Sequence, residues 1–176
     1  LRTGSFNTAL LQAAKTVSSD GLALDVATLH GIPLYDGDAE AADGLPAAVL
    51  ALRERIAQAD GLIMATPEYN SGVPGVLKNA LDWVSRTSAQ HPDVLSHKPV
   101  ALMGASPGGF GTLSAQTHWL PVLRALGMLH WSGGRLLVSK AHTVLQEGTA
   151  VDAALLQQVQ NFVQGFDVFV AQQEKS

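Results

Sequence analysis

The chain has 176 residues, 47% hydrophobic and 15% charged, with a formal net charge of -4 and no cysteine. That length and mix describe one domain with a sizeable core and exclude a disordered chain. The mild negative charge leaves no basic footprint for nucleic acid, and the lack of cysteine excludes disulfides, a thiolate nucleophile, cysteine-ligated zinc and iron–sulfur clusters.

From the first residue, Leu1-Arg2-Thr3-Gly4-Ser5-Phe6-Asn7 reads as a turn feeding a helix over 7–18. An apolar run at 23–29 predicts a strand. The segment 31–44, with Pro33 and the acidic Asp36, Asp38, Glu40 and Asp43, reads as a long polar loop and solvated surface. A helix is expected over 45–59, then a buried strand at 62–66. Pro67 and the cluster Asn70-Ser71-Gly72 break that strand. Pro74 opens a helix over 73–87 whose apolar face holds Val73, Leu77, Ala80, Leu81 and Val84. Strand 99–105, helix 112–126, strand 135–139 and helix 152–172 complete the series. Such βα alternation predicts a parallel sheet covered by helices on both faces, within a single domain over 1–176. The first helix has no strand before it, so the natural chain is expected to be longer, the missing residues forming an apolar strand that ends in a small-residue turn. No apolar run approaches the roughly 20 residues that span a bilayer, and no signal peptide precedes the domain, which predicts a soluble cytoplasmic protein that binds no membrane.

Chemistry gathers in three places. Arg2, Ser5 and Asn7 stand just before a helix, where free N–H groups and the helix dipole favour an anion such as a phosphate; the same Ser5 or Asn7 would also serve as a plain helix cap. Pro67, Glu68, Tyr69, Asn70 and Ser71 follow a strand's carboxyl end, where open α/β sheets build ligand sites. They offer a carboxylate, a ring, an amide, a hydroxyl and free N–H groups suited to the edge of a flat heteroaromatic, or simply form a turn. Ser106, Pro107, Gly108 and Gly109 follow the next strand, where glycines permit close backbone approach. This third loop is neither a dinucleotide fingerprint, since Ser114 stands where the third glycine belongs, nor a P-loop. His30, His91, His97, His118, His130 and His142 show no metal-binding spacing, and there is no G-x-S-x-G elbow. No catalytic side chain and no metal are expected, so a cofactor must carry the chemistry.

These residues bear a likeness. Leu1 to Asn7, Pro67 to Ser71 with Pro74 to Trp83, and Ala105 to Gly109 with Ala115-Gln116 resemble the NADPH-dependent FMN reductases of flavodoxin-like fold, which include quinone, chromate and azo-dye reductases. The resemblance implies a three-layer sandwich with a five-stranded parallel sheet, and a strand with Gly-Ser just ahead of Leu1. It implies FMN with its phosphate on Arg2, Ser5 and Asn7, its ring edge on Pro67 to Ser71, and Ser106 to Gly109 lining the other side. NADPH, or NADH, would pass a hydride to flavin N5 and a small-molecule acceptor would then take the electrons in a ping-pong cycle, backbone N–H groups steadying the charge. A homodimer or homotetramer is implied, with helix 73–87 and Gln116-Thr117-His118-Trp119 as contacts. The alternatives are a flavodoxin-like FMN electron-transfer or regulatory protein without NAD(P)H oxidase activity, and a flavin-free binding protein on the same fold.

Overall fold

The computed structural model describes residues 1–18, 21–146, 149–150 and 152–173. Its frame is set by β2 (Pro99–Ala105), buried along its whole length, with the shorter β1 (Leu62–Ala65) parallel on one side. On the other side β3 (Leu129–His130) pairs with the start of β2, and β4 (Leu136–Val138) with its end, both parallel. Successive side chains of β2 alternate between the two faces. Val100 and Leu102 enter one core with Ile56, Met64, Leu81, Val84, Trp119 and Leu123. Ala101, Met103 and Ala105 enter the other with Leu10, Ala13, Val159, Phe162 and Phe166. The first core lies under α3 (Ala47–Gln58), α4 (Gly75–Val84) and α5 (Leu113–Ala125), the second under α1 (Phe6–Val17) and α7 (Ala153–Gln173). The result is the expected three-layer, flavodoxin-like arrangement.

The main sheet has four strand segments among the described residues, where the implied five counted one strand ahead of Leu1. The run predicted as a strand at 23–29 is extended but makes no ladder. A strand exists only through a neighbour's hydrogen bonds. This segment and β1 line one pocket together with Ile56 of α3 and Val163, Phe166 and Val170 of α7. Leu22 and Leu24 still pack on the α1–α7 core, and Asp25 pairs with Arg55 at 2.6 Å. The expectation of a strand ahead of Leu1 concerns residues beyond the sequence.

The polar segment 31–44 is largely exposed, as expected, but contains α2 (Gly37–Asp43), where a loop was predicted. Asp36 caps α2, its carboxylate accepting from the N–H groups of Asp38 and Ala39. A clamp holds this segment on α4. The Asn79 amide accepts from Tyr35 N–H at 2.8 Å and donates to the Pro33 carbonyl at 2.8 Å, and Trp83 Nε1 donates to the same carbonyl. Tyr35 lies edge-on to Trp83, with ring centroids 4.9 Å apart. A short α6 (Ala141–Val144) and the hairpin strands β5 (Leu145–Gln146) and β6 (Thr149–Ala150) precede α7 and were not anticipated. No helix among the described residues is long and apolar enough to cross a membrane.

Candidate functional site

The three segments singled out in the sequence meet at the carboxyl ends of β1 and β2. β1 ends where Pro67, lacking an N–H, cannot extend the ladder; Thr66 N–H makes the last bond, to Met103 O at 2.9 Å. Because alternate residues of a strand send their polar groups to alternate sides, the N–H and C=O of Ala105 face the space β1 has vacated. Asn7 fills it. Its Oδ1 accepts from Ala105 N–H and its Nδ2 donates to Ala105 O, both at 2.9 Å and buried. The Asn7 side chain thus continues the sheet in place of a strand, leaving one amide hydrogen for anything else. Ser5 caps α1, its Oγ accepting from Thr8 N–H at 3.3 Å. Arg2 is exposed, rests its guanidinium 5.2 Å from the centre of the Phe6 ring, and has no carboxylate partner among the described residues.

The second segment is a tight turn. Tyr69 and Gly72 exchange both backbone hydrogen bonds, at 3.2 and 2.9 Å, with Asn70 at φ 50° and Ser71 at φ 58°. Two positive-φ residues in succession make a type I′ turn, whose left-handed backbone is costly for Ser71, and such strain gathers at functional sites. Two bonds from α5 fix the approach to the turn. Trp119 Nε1 donates to Thr66 Oγ1 at 3.0 Å, and Ala115 N–H donates to Glu68 Oε2 at 3.0 Å. In the third segment the buried Ser106 hydroxyl donates to Gly111 O at 2.6 Å, closing the loop, while Gly108 O accepts from Lys140 N–H. A Cβ at Gly104 would overlap the Thr66 carbonyl and Thr112 Oγ1, so glycine is required for β2 to pass under this junction.

Of the expected site residues, Arg2, Ser5, Asn7, Pro67, Glu68, Tyr69, Ser106 and Pro107 line one pocket. Asn70 and Ser71 form the exposed tip of the turn, and Gly108 and Gly109 the exposed bend of the third loop, and none of the four lines that pocket. The side chains of Glu68 and Ser106 are already engaged by protein groups. Sequence reasoning missed Thr66, Gly104 and Thr112 and gave Trp119 a different role; all four hold the loops in register. Gln116 and Trp119, expected at a subunit contact, are instead buried. Gln116 donates to Thr112 Oγ1 and Leu136 O and accepts from Arg135, and only Thr117 and His118 of that group are exposed. Their spacing, with Gln116 and Trp119 three apart beside Ala115 and Leu123, was a legible sign of an inward face.

The donor set suits an FMN: an arginine fork with no carboxylate partner among the described residues, with a hydroxyl and an amide for a phosphate, beside a turn and a glycine loop that present backbone to a flat ring. The description NADPH-dependent FMN reductase matches residues 1–143. The chain is 40% identical over 171 residues to an NAD(P)H-dependent FMN reductase of Pseudomonas aeruginosa, covering 97% of this chain and 90% of that one. It is 41% identical over 124 residues to a quinone reductase of Escherichia coli K12, covering 70% of this chain and 64% of that one. Among solved structures it is similar to the flavoenzyme NAD(P)H:(acceptor) oxidoreductase FerB of Paracoccus denitrificans, with a TM-score of 0.82, 29% identity, and coverage of 98% and 93%. With most of its length matched and the loops gathered at one sheet edge, the chain belongs to the NADPH-dependent FMN reductase family.

Proposed function

We propose that the protein passes electrons from NADPH or NADH, by way of FMN, to small quinone-type acceptors in a two-step ping-pong cycle. When bound, FMN supplies the two-electron chemistry, taking a hydride from the nicotinamide and giving the pair to the acceptor. The observation that supports the reading is that Arg2, Ser5 and Asn7 line the same pocket as Pro67 to Tyr69 and Ser106. Arg2 and Ser5, with the remaining Asn7 amide hydrogen, would hold the phosphate. The backbone of Pro67 to Ser71 would meet the ring edge, with Ser106 to Gly109 along its other side. No side chain in this scheme acts as a proton-transfer base; N–H groups of the turn other than those of Tyr69 and Gly72, which bond each other's carbonyls, would stabilise negative charge on the ring. The acceptor class takes its support from the quinone reductase similarity, with azo dyes, metal oxyanions and free flavin as further candidates.

A homodimer or homotetramer in the cytoplasm belongs to the same proposal. Exposed Val76 on α4 and Leu113 and Leu120 on α5 support an apolar contact with a second copy. The test is an initial-velocity study with NADPH and a benzoquinone varied against each other. Parallel double-reciprocal lines support the shared site; intersecting lines point to both substrates bound at once and contradict it. A protein that holds FMN yet oxidises no NAD(P)H is instead an electron carrier.

A further inference from the structure

Glu68 lies in the segment assigned to the ring edge, yet its carboxylate is turned away toward α5. The reason lies at the start of that helix. A helix leaves its first N–H groups without internal partners, and the capping side chain ordinarily takes one of them. Here the capping residue is Thr112, which makes no such bond; it is fully buried, and its hydroxyl accepts from Gln116 Nε2 at 3.0 Å instead. Glu68, 47 positions earlier in the chain, supplies the missing acceptor by taking the Ala115 N–H at 3.0 Å. A carboxylate is well matched to that place, because the N-terminal end of a helix carries partial positive charge.

One helical turn further on, Trp119 holds the Thr66 hydroxyl, which itself donates to the Pro67 carbonyl at 2.9 Å. Ala115 and Trp119, four residues apart, therefore grip Thr66 and Glu68 from one face of α5. Beyond them comes the type I′ turn with left-handed Asn70 and Ser71, which holds its shape only if both ends are fixed. The start of α5 also terminates the glycine loop, closed by the Ser106 to Gly111 bond. Glu68 thus makes a bond that joins the Pro67–Gly72 turn to the start of α5, where the glycine loop ends.

We propose that Glu68 is a positioning residue: by accepting from the Ala115 N–H it locks the Pro67–Gly72 turn to the glycine loop 106–112 and so sets the backbone that receives the flavin ring. The proposal rests on the flavin reading for its consequence and on the Glu68–Ala115 bond for its cause, and the two are separable by experiment. Glu68→Gln keeps an acceptor oxygen of the same reach; Glu68→Ala removes it.

Amide hydrogen exchange of the flavin-free protein reads the lock directly. Glu68→Ala is expected to raise exchange in 66–72 and at the start of α5, and Glu68→Gln to preserve the parent pattern. Fluorescence titration with FMN reads the consequence. Glu68→Ala should raise the FMN Kd about tenfold or more, the scale of one lost charge-assisted bond, and blur the vibronic structure of the bound flavin spectrum; Glu68→Gln should restore both to within about threefold. A purely structural role would lower the thermal midpoint of Glu68→Ala and leave Kd and spectrum unmoved, overturning the proposal. A Glu68→Gln variant as impaired as Glu68→Ala would also overturn it, since the charge and not the acceptor would then matter. Should the parent bind no FMN, the flavin reading falls, and unchanged exchange in Glu68→Ala would bring down the lock as well.

Discussion

Replacing Asn7 by alanine is the sharpest perturbation of the junction between sheet and site. The side chain makes two buried bonds to one residue, Ala105, at the end of the central strand. Each such bond contributes about 1 kcal/mol net, and a buried N–H or C=O left without a partner costs about 1–3 kcal/mol. Asn7 and Ala105 line a pocket wide enough for water to reach part of the gap, so the sum falls at about 3 kcal/mol rather than at the upper limit. For a chain of this size that lowers the thermal midpoint by roughly 6–12 °C. Urea unfolding of the flavin-free protein, followed by far-UV circular dichroism, measures it without any ligand. A loss below about 0.5 kcal/mol together with a tenfold weaker FMN affinity would refute the reasoning, showing that the amide is held for the phosphate and that the sheet end does not depend on it.

Three further outcomes follow from the same geometry. Gly104→Ala should destabilise by about 1–3 kcal/mol or more and weaken FMN binding together, because the obstructing Thr66 carbonyl is backbone that cannot swing aside; an unchanged denaturation midpoint contradicts this. Arg53, only 4% exposed, donates to the carbonyls of Val84, Arg86 and Pro92 where α4 ends. Arg53→Met should therefore cost roughly 3 kcal/mol in chemical denaturation by stranding those carbonyls, and a neutral result counts against it. The exposed clamp gives a pH dependence. The Arg86 guanidinium, and then the Tyr35 hydroxyl, hold the Glu40 carboxyl below its ordinary 4.5, so its contribution is present above that value and lost as pH falls through the lower folded one. The bond to Glu40, and then partial burial, raise Tyr35 above 10.0, so its contribution is present below that value and lost as pH rises through the higher one. The midpoint difference between parent and Glu40→Gln should close in acid, that between parent and Tyr35→Phe in alkali; a gap constant with pH refutes the assignment.

What the sequence disclosed, and what it did not, follows from the range of the forces involved. Local periodicity placed all five long helices within a few residues, and β2 at 99–105, because apolar spacing and breakers such as Pro67 and Pro74 act over short stretches. The run 23–29 has the composition of a strand, but a ladder depends on what lies alongside, which no local pattern records. α2 was hidden by its polarity, although Asp36 followed by acidic residues in the first turn is a capping signal. At the site, the three loops were legible as loops. The commitments of their side chains were not: Asn7 reaches Ala105 across 98 positions, Glu68 reaches Ala115 across 47, and Trp119 reaches Thr66 across 53. Asn79 and Trp83 stood out in the motif for a reason the motif could not give, since their role is to hold Pro33 and Tyr35.

One flavin, held where Arg2, Pro67 and Ser106 line a common pocket and reduced by NAD(P)H, carries the proposed activity. An anaerobic visible spectrum of the protein with FMN, titrated with slight excess NADPH and then with a benzoquinone, tests it in a single cuvette. Loss of the bound flavin's absorbance on NADPH addition and its return with the quinone is the predicted result. A flavin that binds and stays oxidised, or one that does not bind at all, contradicts it.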